Sequence, residues 1–146
     1  MYEDDAGIIW IGTYGGGLDK LNAHSNNFIH HSNNPVEINS ISNNRVFAIL
    51  GDNEKLWIGT WGGLNWLDYN NGVNKIFKNE KNNPNSISDN RITSIIKDKN
   101  ENLWIGTLDG GLNKFNYSNN SFKQFRNDPN NSNTLSDDRV MSLMER

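Results

Sequence analysis

The chain has 146 residues, a formal net charge of −3 and no cysteine. Its 14 basic and 17 acidic residues are spread along the chain, so no basic stripe predicts nucleic-acid binding. The lack of cysteine excludes disulfides, thiolate nucleophiles and cysteine-based metal sites. The acidic start at Met1–Asp5 does not resemble a signal peptide, and no apolar run is long enough to cross a membrane. We therefore expect one domain, residues 1–146, with no targeting signal in this chain and no membrane contact.

The first predicted element is a short strand around Trp10, and its sequence occurs three times. Trp10, Trp57 and Trp104 are spaced 47 residues apart, each within a motif of the form Ile/Leu-Trp-Ile-Gly-Thr. A fixed period of this length is typical of a repeat architecture. Alternate residues of a strand point to opposite faces, and here both faces carry apolar groups, so each Trp strand is expected between two other layers. The glycine two residues after each Trp is expected to leave room for the ring.

Two further strands follow each Trp strand. A glycine-rich turn leads into a strand whose apolar and polar residues alternate, so we expect that strand to have one wet face. An Asn-rich turn then leads to a weaker strand, which we expect at the outer edge of the sheet. The alternating strands are predicted at 18–21, 64–67 and 112–115, and the outer strands at 28–29, 76–77 and 122–125.

A second recurring signature is a loop that ends in arginine and leads directly into another strand. The loop reads Ser-Ile-Ser-Asn-Asn-Arg-Val or a near variant. The strands that follow carry small residues at their centres, which suits the innermost position, where sheets converge on an axis. These innermost strands are predicted at 46–50 and 92–96, and residues 140–146 match 92–98, so a third is expected to begin at Val140.

Four short antiparallel strands in about 47 residues, with glycine and aromatic landmarks, predict a β-propeller blade. The chain is therefore expected to be all-β, with about three four-stranded antiparallel blades forming a partial propeller. The combination of Leu-Trp-Ile-Gly-Thr, Gly-Gly-Leu-Asn and Ser-x-Ser-Asp-Asn-Arg-Val resembles the two-component regulator propeller repeat over essentially the whole chain. That family occurs in the extracytoplasmic sensor regions of bacterial histidine kinases and hybrid two-component systems.

The resemblance implies a non-catalytic sensor that binds a small molecule, commonly a carbohydrate fragment, and passes a signal to an output domain. It also implies a periplasmic or extracellular location as part of a full-length receptor. Closed propellers have about 4–8 blades, so three blades leave two open flanks. We expect the remaining blades of a longer receptor, or a second copy of this chain, to cover those flanks. The alternative function is a structural scaffold for protein interaction or dimerisation, and a propeller lyase or hydrolase is a third.

A candidate ligand site follows from the order of the strands within a blade. The loop into the innermost strand and the turn after the Trp strand emerge on the same face, so each recurring arginine is expected beside such a turn. Aromatic rings next to a guanidinium can stack on a sugar and donate hydrogen bonds to it, or hold an anionic group. An arginine repeated in every blade also suits a structural tether between a loop and the next blade. The predicted ligand-binding residues are Tyr14, Trp61, Arg45, Arg91 and Arg139.

Other polar patterns are interpreted as structural. Residues 98–102 carry oxygen-bearing side chains at a calcium-like spacing, but Leu103 occupies the position that needs glycine, which favours a hairpin turn. His24, His30 and His31 fall in predicted outer turns and an edge strand, where an adjacent pair points to opposite faces. No nucleophile is paired with a base. The sequence therefore predicts no catalytic residue, no metal and no cofactor.

Overall fold

The computed structural model describes residues 1–69 and 74–145, and every regular element within those ranges is a β-strand. The strands form three antiparallel four-stranded sheets that follow one another along the chain, which confirms the predicted all-β architecture of three blades. None of the described residues belongs to a helix that could span a membrane. The first sheet contains β1 (Tyr2–Glu3), β2 (Ile8–Gly12), β3 (Leu18–Asn22) and β4 (Asn27–His31); the second contains β5 (Val46–Asp52), β6 (Lys55–Thr60), β7 (Gly63–Asp68) and β8 (Asn74–Phe77); the third contains β9 (Ile92–Lys97), β10 (Leu103–Thr107), β11 (Leu112–Asn116) and β12 (Ser121–Phe125).

Within each sheet the strands lie side by side in chain order. In the second sheet this order is β5-β6-β7-β8, and the other two sheets repeat it. The strand before each Trp strand therefore lies at one edge, and the weaker strand predicted last lies at the other. β5 and β9 approach each other across the gap between their sheets, as strands nearest an axis do. The predicted innermost and outer positions are confirmed.

Two hydrophobic cores lie between the three sheets, and β6 contributes to both. Leu56 and Ile58 pack with Trp10 in the core between the first and second sheets. Trp57 points the other way and packs in the core between the second and third sheets, where its ring centre lies 5.0 Å from that of Phe115. Leu56, Trp57 and Ile58 are all fully buried. The prediction that a Trp strand lies between two layers is confirmed for the middle repeat.

The glycine of each Trp strand makes room for the neighbouring sheet and not for the tryptophan ring. A Cβ atom on Gly59 would lie 2.5 Å from Cγ2 of Ile92, and one on Gly12 would lie 2.6 Å from Cγ1 of Val46. Ile92 and Val46 are the first residues of the innermost strands of the next sheets. The expectation about the ring was wrong because the next innermost strand already fills the space above each glycine.

The strand after each glycine turn is less exposed than its alternating sequence predicts. Asn65 and Asn113, expected on a wet face, are fully buried. Asn65 Oδ1 accepts a hydrogen bond from the backbone N–H of Ser42 at 2.8 Å, and Asn113 Oδ1 accepts one from Ser88 at 3.0 Å. The side-chain N–H groups also donate to serine hydroxyls, from Asn65 to Ser42 and from Asn113 to Ser88. The prediction of a wet face was wrong here, because the recurring loop covers these side chains and satisfies their polar atoms.

The last predicted innermost strand does not form within the described residues 140–145. Val140 is still positioned as Val46 is at the start of β5, since its N–H donates to the Thr107 carbonyl at 3.0 Å and its side chain lies over Gly106. In the other sheets the innermost strand forms a ladder with the Trp strand that follows it. Residues 140–145 have no such partner, which accounts for the missing strand; Arg146 lies outside the described residues.

Candidate functional site

The recurring arginines and the turns after the Trp strands lie on one face of the sheets. The Trp61 N–H donates to the Arg45 carbonyl at 3.2 Å, and the Leu108 N–H donates to the Arg91 carbonyl at 3.0 Å. Arg45 and Arg91 each directly precede the innermost strand of a sheet. The backbone therefore brings Arg45 beside Trp61, and Arg91 beside Leu108.

Two aromatic rings flank the guanidinium of Arg45, and a third ring packs against both of them. Its central carbon lies 4.8 Å from the ring centre of Trp61 and 5.2 Å from that of Tyr14. Phe47 stacks on Trp61, with ring centres 5.4 Å apart and planes inclined by 13°. Tyr14 is 66% exposed and Phe47 is 44% exposed. We call Tyr14, Arg45, Phe47 and Trp61 the Arg45 cluster.

Local strand geometry explains how this cluster forms. Tyr14 follows β2 and Trp61 follows β6, so each begins the turn at the same end of its sheet. Val46, the first residue of β5, is buried over Gly12, whereas Phe47 lies where the register between β5 and β6 shifts, so it has no partner on β6 and is exposed. Phe47 therefore faces outward beside Trp61. Phe47 was missed from the sequence, because the register shift that exposes it is set by pairing with β6.

The other two arginines form ion pairs. Arg91 Nη2 lies 2.7 Å from a carboxylate oxygen of Asp89 and 2.7 Å from one of Asp109. Arg139 Nη2 lies 3.2 Å from the other oxygen of Asp109. Burial alone raises the pKa of Asp89, but hydrogen bonds from Arg91 bring that pKa below its ordinary value. Asp109 thus lies between two guanidinium groups.

The five predicted residues consequently divide into two groups. Tyr14, Trp61 and Arg45 come together between the first and second sheets, with ring contacts to the guanidinium. Arg91 and Arg139 lie along the same face but contact carboxylates, which is the pairing that a loop-tethering arginine makes.

The segment with calcium-like spacing is a hairpin turn. The Asp98 N–H donates to the Asn102 carbonyl at 2.9 Å, and Asp98 Oδ1 accepts hydrogen bonds from the backbone of Asn100 and Asn102 at 2.9 Å each. Asp98 Oδ2 accepts a hydrogen bond from the indole of Trp104 at 2.8 Å. These contacts confirm the hairpin interpretation. The described residues contain no group of three or more acidic or histidine side chains placed to hold a metal ion.

The histidines lie at the outer side of the first sheet. His30 and His31 are on β4, and His24 is in the preceding turn. His30 Nδ1 lies 2.6 Å from Asp19 Oδ1, on an exposed surface. Burial, together with the charge of Lys20, lowers the pKa of His31. The adjacent pair thus points to different environments, as predicted.

The family described as two component regulator propeller matches residues 1–15, 40–62 and 86–109. The chain is 37% identical over 70 residues to histidine kinase P4 of Formosa agariphila, a match that covers 47% of this chain and 5% of the kinase.

Two solved structures from B. thetaiotaomicron share the fold. The extracellular domain of a putative hybrid two-component system superposes with a TM-score of 0.81 at 21% identity, covering 96% of this chain and 19% of that chain. The extracellular domain of a putative one-component system superposes with a TM-score of 0.75 at 26% identity, covering 97% of this chain and 18% of that chain. The chain therefore spans about a fifth of these domains.

Proposed function

We propose that this chain, whose repeats match the two-component regulator propeller family, forms part of the sensor region of a two-component signalling receptor, where it binds a carbohydrate-like small molecule without catalysis. Its similarity to a histidine kinase supports the signalling role. A periplasmic or extracellular location is part of the proposal, supported by the extracellular domains that share the fold. The remaining blades of such a receptor would cover the flanks of the first and third sheets.

The observation that carries the proposed ligand binding is the Arg45 cluster. Sugar rings present apolar C–H faces that stack on aromatic side chains, and hydroxyl groups that accept hydrogen bonds from a guanidinium. Tyr14 and Phe47 expose much of their ring area beside the charged group, so both kinds of contact are available within one small surface.

The position of the cluster suggests how binding would be transmitted. Tyr14 comes from the first sheet, whereas Trp61 and Phe47 come from the second. A ligand that contacts both sheets would favour the arrangement of sheets in which these rings lie close together. A ligand shifts a conformational equilibrium only through such a difference in affinity between two states.

Replacing Trp61 tests the proposed site. We expect Trp61→Ala to weaken binding of an oligosaccharide by about tenfold or more, because truncating an aromatic anchor costs on the order of 1–2 kcal/mol or more. Isothermal titration calorimetry with oligosaccharides of defined composition measures the affinity, and circular dichroism checks that the sheets remain.

Leu108→Ala is the matched control, since Leu108 begins the equivalent turn of the third sheet. That variant should bind as the unmodified chain does. Unchanged affinity of Trp61→Ala would remove Trp61 from the site, and cleavage of the bound oligosaccharide would show an enzyme instead of a sensor.

A further inference from the structure

We propose that the ligand bound at the Arg45 cluster is an anionic saccharide, whose carboxylate or sulfate group pairs with Arg45. This inference rests on the proposed ligand-binding function and specifies the chemical class of the ligand. It comes from comparing the three recurring arginines, which occupy the same place in the repeat but have different partners.

The first difference lies within the loop that carries each arginine. Asp89 Oδ1 accepts the backbone N–H of Arg91 at 3.0 Å, and its carboxylate also accepts hydrogen bonds from the Arg91 guanidinium at 3.2 and 2.7 Å. Asn43 holds the same position before Arg45 and accepts the Arg45 backbone N–H at 2.9 Å. The loop geometry is therefore retained, but the carboxylate that would neutralise the arginine is replaced by an amide.

The second difference lies in the turns on either side of the arginine. Asp109 contacts Arg91 of its own sheet and Arg139 of the following loop. In the turn of the first sheet, Gly15 occupies the position that Asp109 has in the third sheet. The turn of the second sheet, Trp61-Gly62-Gly63, is one residue shorter and has no residue equivalent to Asp109. Arg45 thus lacks a carboxylate on both sides.

The guanidinium of Arg45 is held in place while its N–H groups stay available. Within residues 1–69 and 74–145, no carboxylate lies within ion-pairing distance of Arg45. The group lies over the faces of Trp61 and Tyr14 and is exposed to solvent. Contacts with ring faces leave the edge of the planar guanidinium free, and that edge binds carboxylate and sulfate-like anions through paired hydrogen bonds.

The rings beside Arg45 indicate that the anion belongs to a sugar. Tyr14 and Phe47 meet edge to face with ring centres 6.0 Å apart, and they are 66% and 44% exposed. A pyranose ring can lie against these aromatic surfaces while its acidic substituent reaches the guanidinium. A small inorganic anion would use only the arginine and none of the rings.

Asn43→Asp tests the inference by restoring the missing carboxylate. The substitution keeps the shape of the side chain and copies the arrangement of Asp89 and Arg91, so the loop should fold as before. The internal carboxylate should then compete with an acidic ligand for Arg45. We expect affinity for an acidic oligosaccharide to fall by roughly tenfold or more, since the guanidinium would already be engaged in charge-assisted hydrogen bonds within the loop.

Asn44→Asp is the matched control because it adds the same charge one residue away. In the third loop an aspartate, Asp138, already holds this position and accepts the Asn127 N–H at 2.7 Å, as Asn44 accepts the Asn33 N–H at 2.6 Å. The control should therefore fold. Its affinity should fall much less than that of Asn43→Asp, because its carboxylate is engaged by the backbone.

Three probes complete the design: an oligogalacturonate, its methyl-esterified neutral form and a sulfated oligosaccharide that carries no carboxylate. Calorimetry on the full chain should show that one or both acidic probes bind at least about tenfold more tightly than the neutral form. The preferred acidic probe identifies carboxylate or sulfate as the recognised group. Equal binding of acidic and neutral probes, or an unchanged affinity in Asn43→Asp, would overturn the inference and leave the proposed function standing. Binding of none of the probes would overturn both.

Discussion

Each tryptophan of the recurring motif donates its indole N–H to one aspartate in the hairpin that precedes it. A buried indole without a partner would lose the hydrogen bond that it makes to water in the unfolded chain, at a cost of about 1–3 kcal/mol. The pairs are Trp10 with Asp4 at 3.0 Å, Trp57 with Asp52 at 3.2 Å and Trp104 with Asp98 at 2.8 Å. Asp4 and Asp98 also accept backbone N–H groups of their own hairpins, so these two carboxylates fix both the hairpin and the ring of the strand that follows.

Asp98 makes stability depend on pH. Hydrogen bonds from Trp104 and Asn102 lower its pKa to about 2, from an ordinary value of 3.8. A carboxylate whose pKa is lower in the folded than in the unfolded state stabilises the fold at any pH above its unfolded-state pKa. That contribution is lost as the pH falls through the folded-state pKa. We expect Asp98→Asn to lower the melting temperature at pH 5 to 7, and the difference from the unmodified chain to shrink between about pH 4 and pH 2.

Melting curves followed by tryptophan fluorescence across that pH range measure the effect. Asp5→Asn serves as the control, since Asp5 is an exposed carboxylate near the equivalent hairpin of the first sheet. A constant difference between Asp98→Asn and the unmodified chain at every pH would contradict the assigned cause.

At the scale of elements, the recurring loop joins each sheet to the next. Ser88 reaches the third sheet through Asn113, and the adjacent Ile87 is fully buried in the core between the second and third sheets. Ile92, four residues after Ser88, enters the space above Gly59 of the second sheet. One loop therefore contributes polar contacts to one sheet and apolar contacts to another.

Filling the space above Gly59 should separate the second and third sheets. A Cβ there would lie 2.5 Å from Ile92 Cγ2 and 3.2 Å from the Cβ of Ala48, so Gly59→Ala forces these groups apart. Overpacking of this kind costs about 1–3 kcal/mol, which we expect as a loss of unfolding free energy in urea.

Two further variants make this test specific. Gly15→Ala should be nearly neutral, because a Cβ at Gly15 has no atom within 4 Å. Ile92→Ala should cost less in the Gly59→Ala background than alone, since the two sites contact each other. Additive effects of the two substitutions would refute the proposed clash.

At the scale of the whole molecule, the same strand has a different environment in each sheet. Trp57 is fully buried between two sheets, whereas Trp104 is only partly buried, on the open side of the third sheet. In a repeat protein each unit is stabilised chiefly by its immediate neighbours. The energetic contribution of a motif residue should therefore depend on its position in the stack.

Identical substitutions at the two tryptophans test this dependence. Trp57→Ala should cost about 3–5 kcal/mol, the usual loss for a large aromatic core residue. Trp104→Ala should cost less than half of that, because less of its surface is removed from water. Urea unfolding measures the loss of unfolding free energy in both variants. If Trp57→Ala is already unfolded without urea while Trp104→Ala is folded, that result also agrees with the expectation. Equal losses would contradict it.

The candidate site was only partly predictable. Tyr14, Trp61 and Arg45 follow from the order of strands in a blade, because that order decides which loops share a face. The ion pairs of Arg91 and Arg139 did not follow, since Asp109 is 30 residues from Arg139 in the chain. The lack of a carboxylate partner for Arg45 among the described residues became visible only when the surroundings of the three recurring arginines were compared in space.

The sequence by itself determined the number of repeats, the order of the strands and the innermost and outer edges. These features depend on short-range patterns: alternation along a strand, glycine in turns and a fixed period of 47 residues. Only the tertiary structure decided that Gly59 accommodates Ile92, that Asn65 is buried and that Arg45 has aromatic neighbours but no carboxylate partner among the described residues. The physical reason is that burial and ion pairing depend on groups supplied by other sheets and loops, which local patterns do not specify.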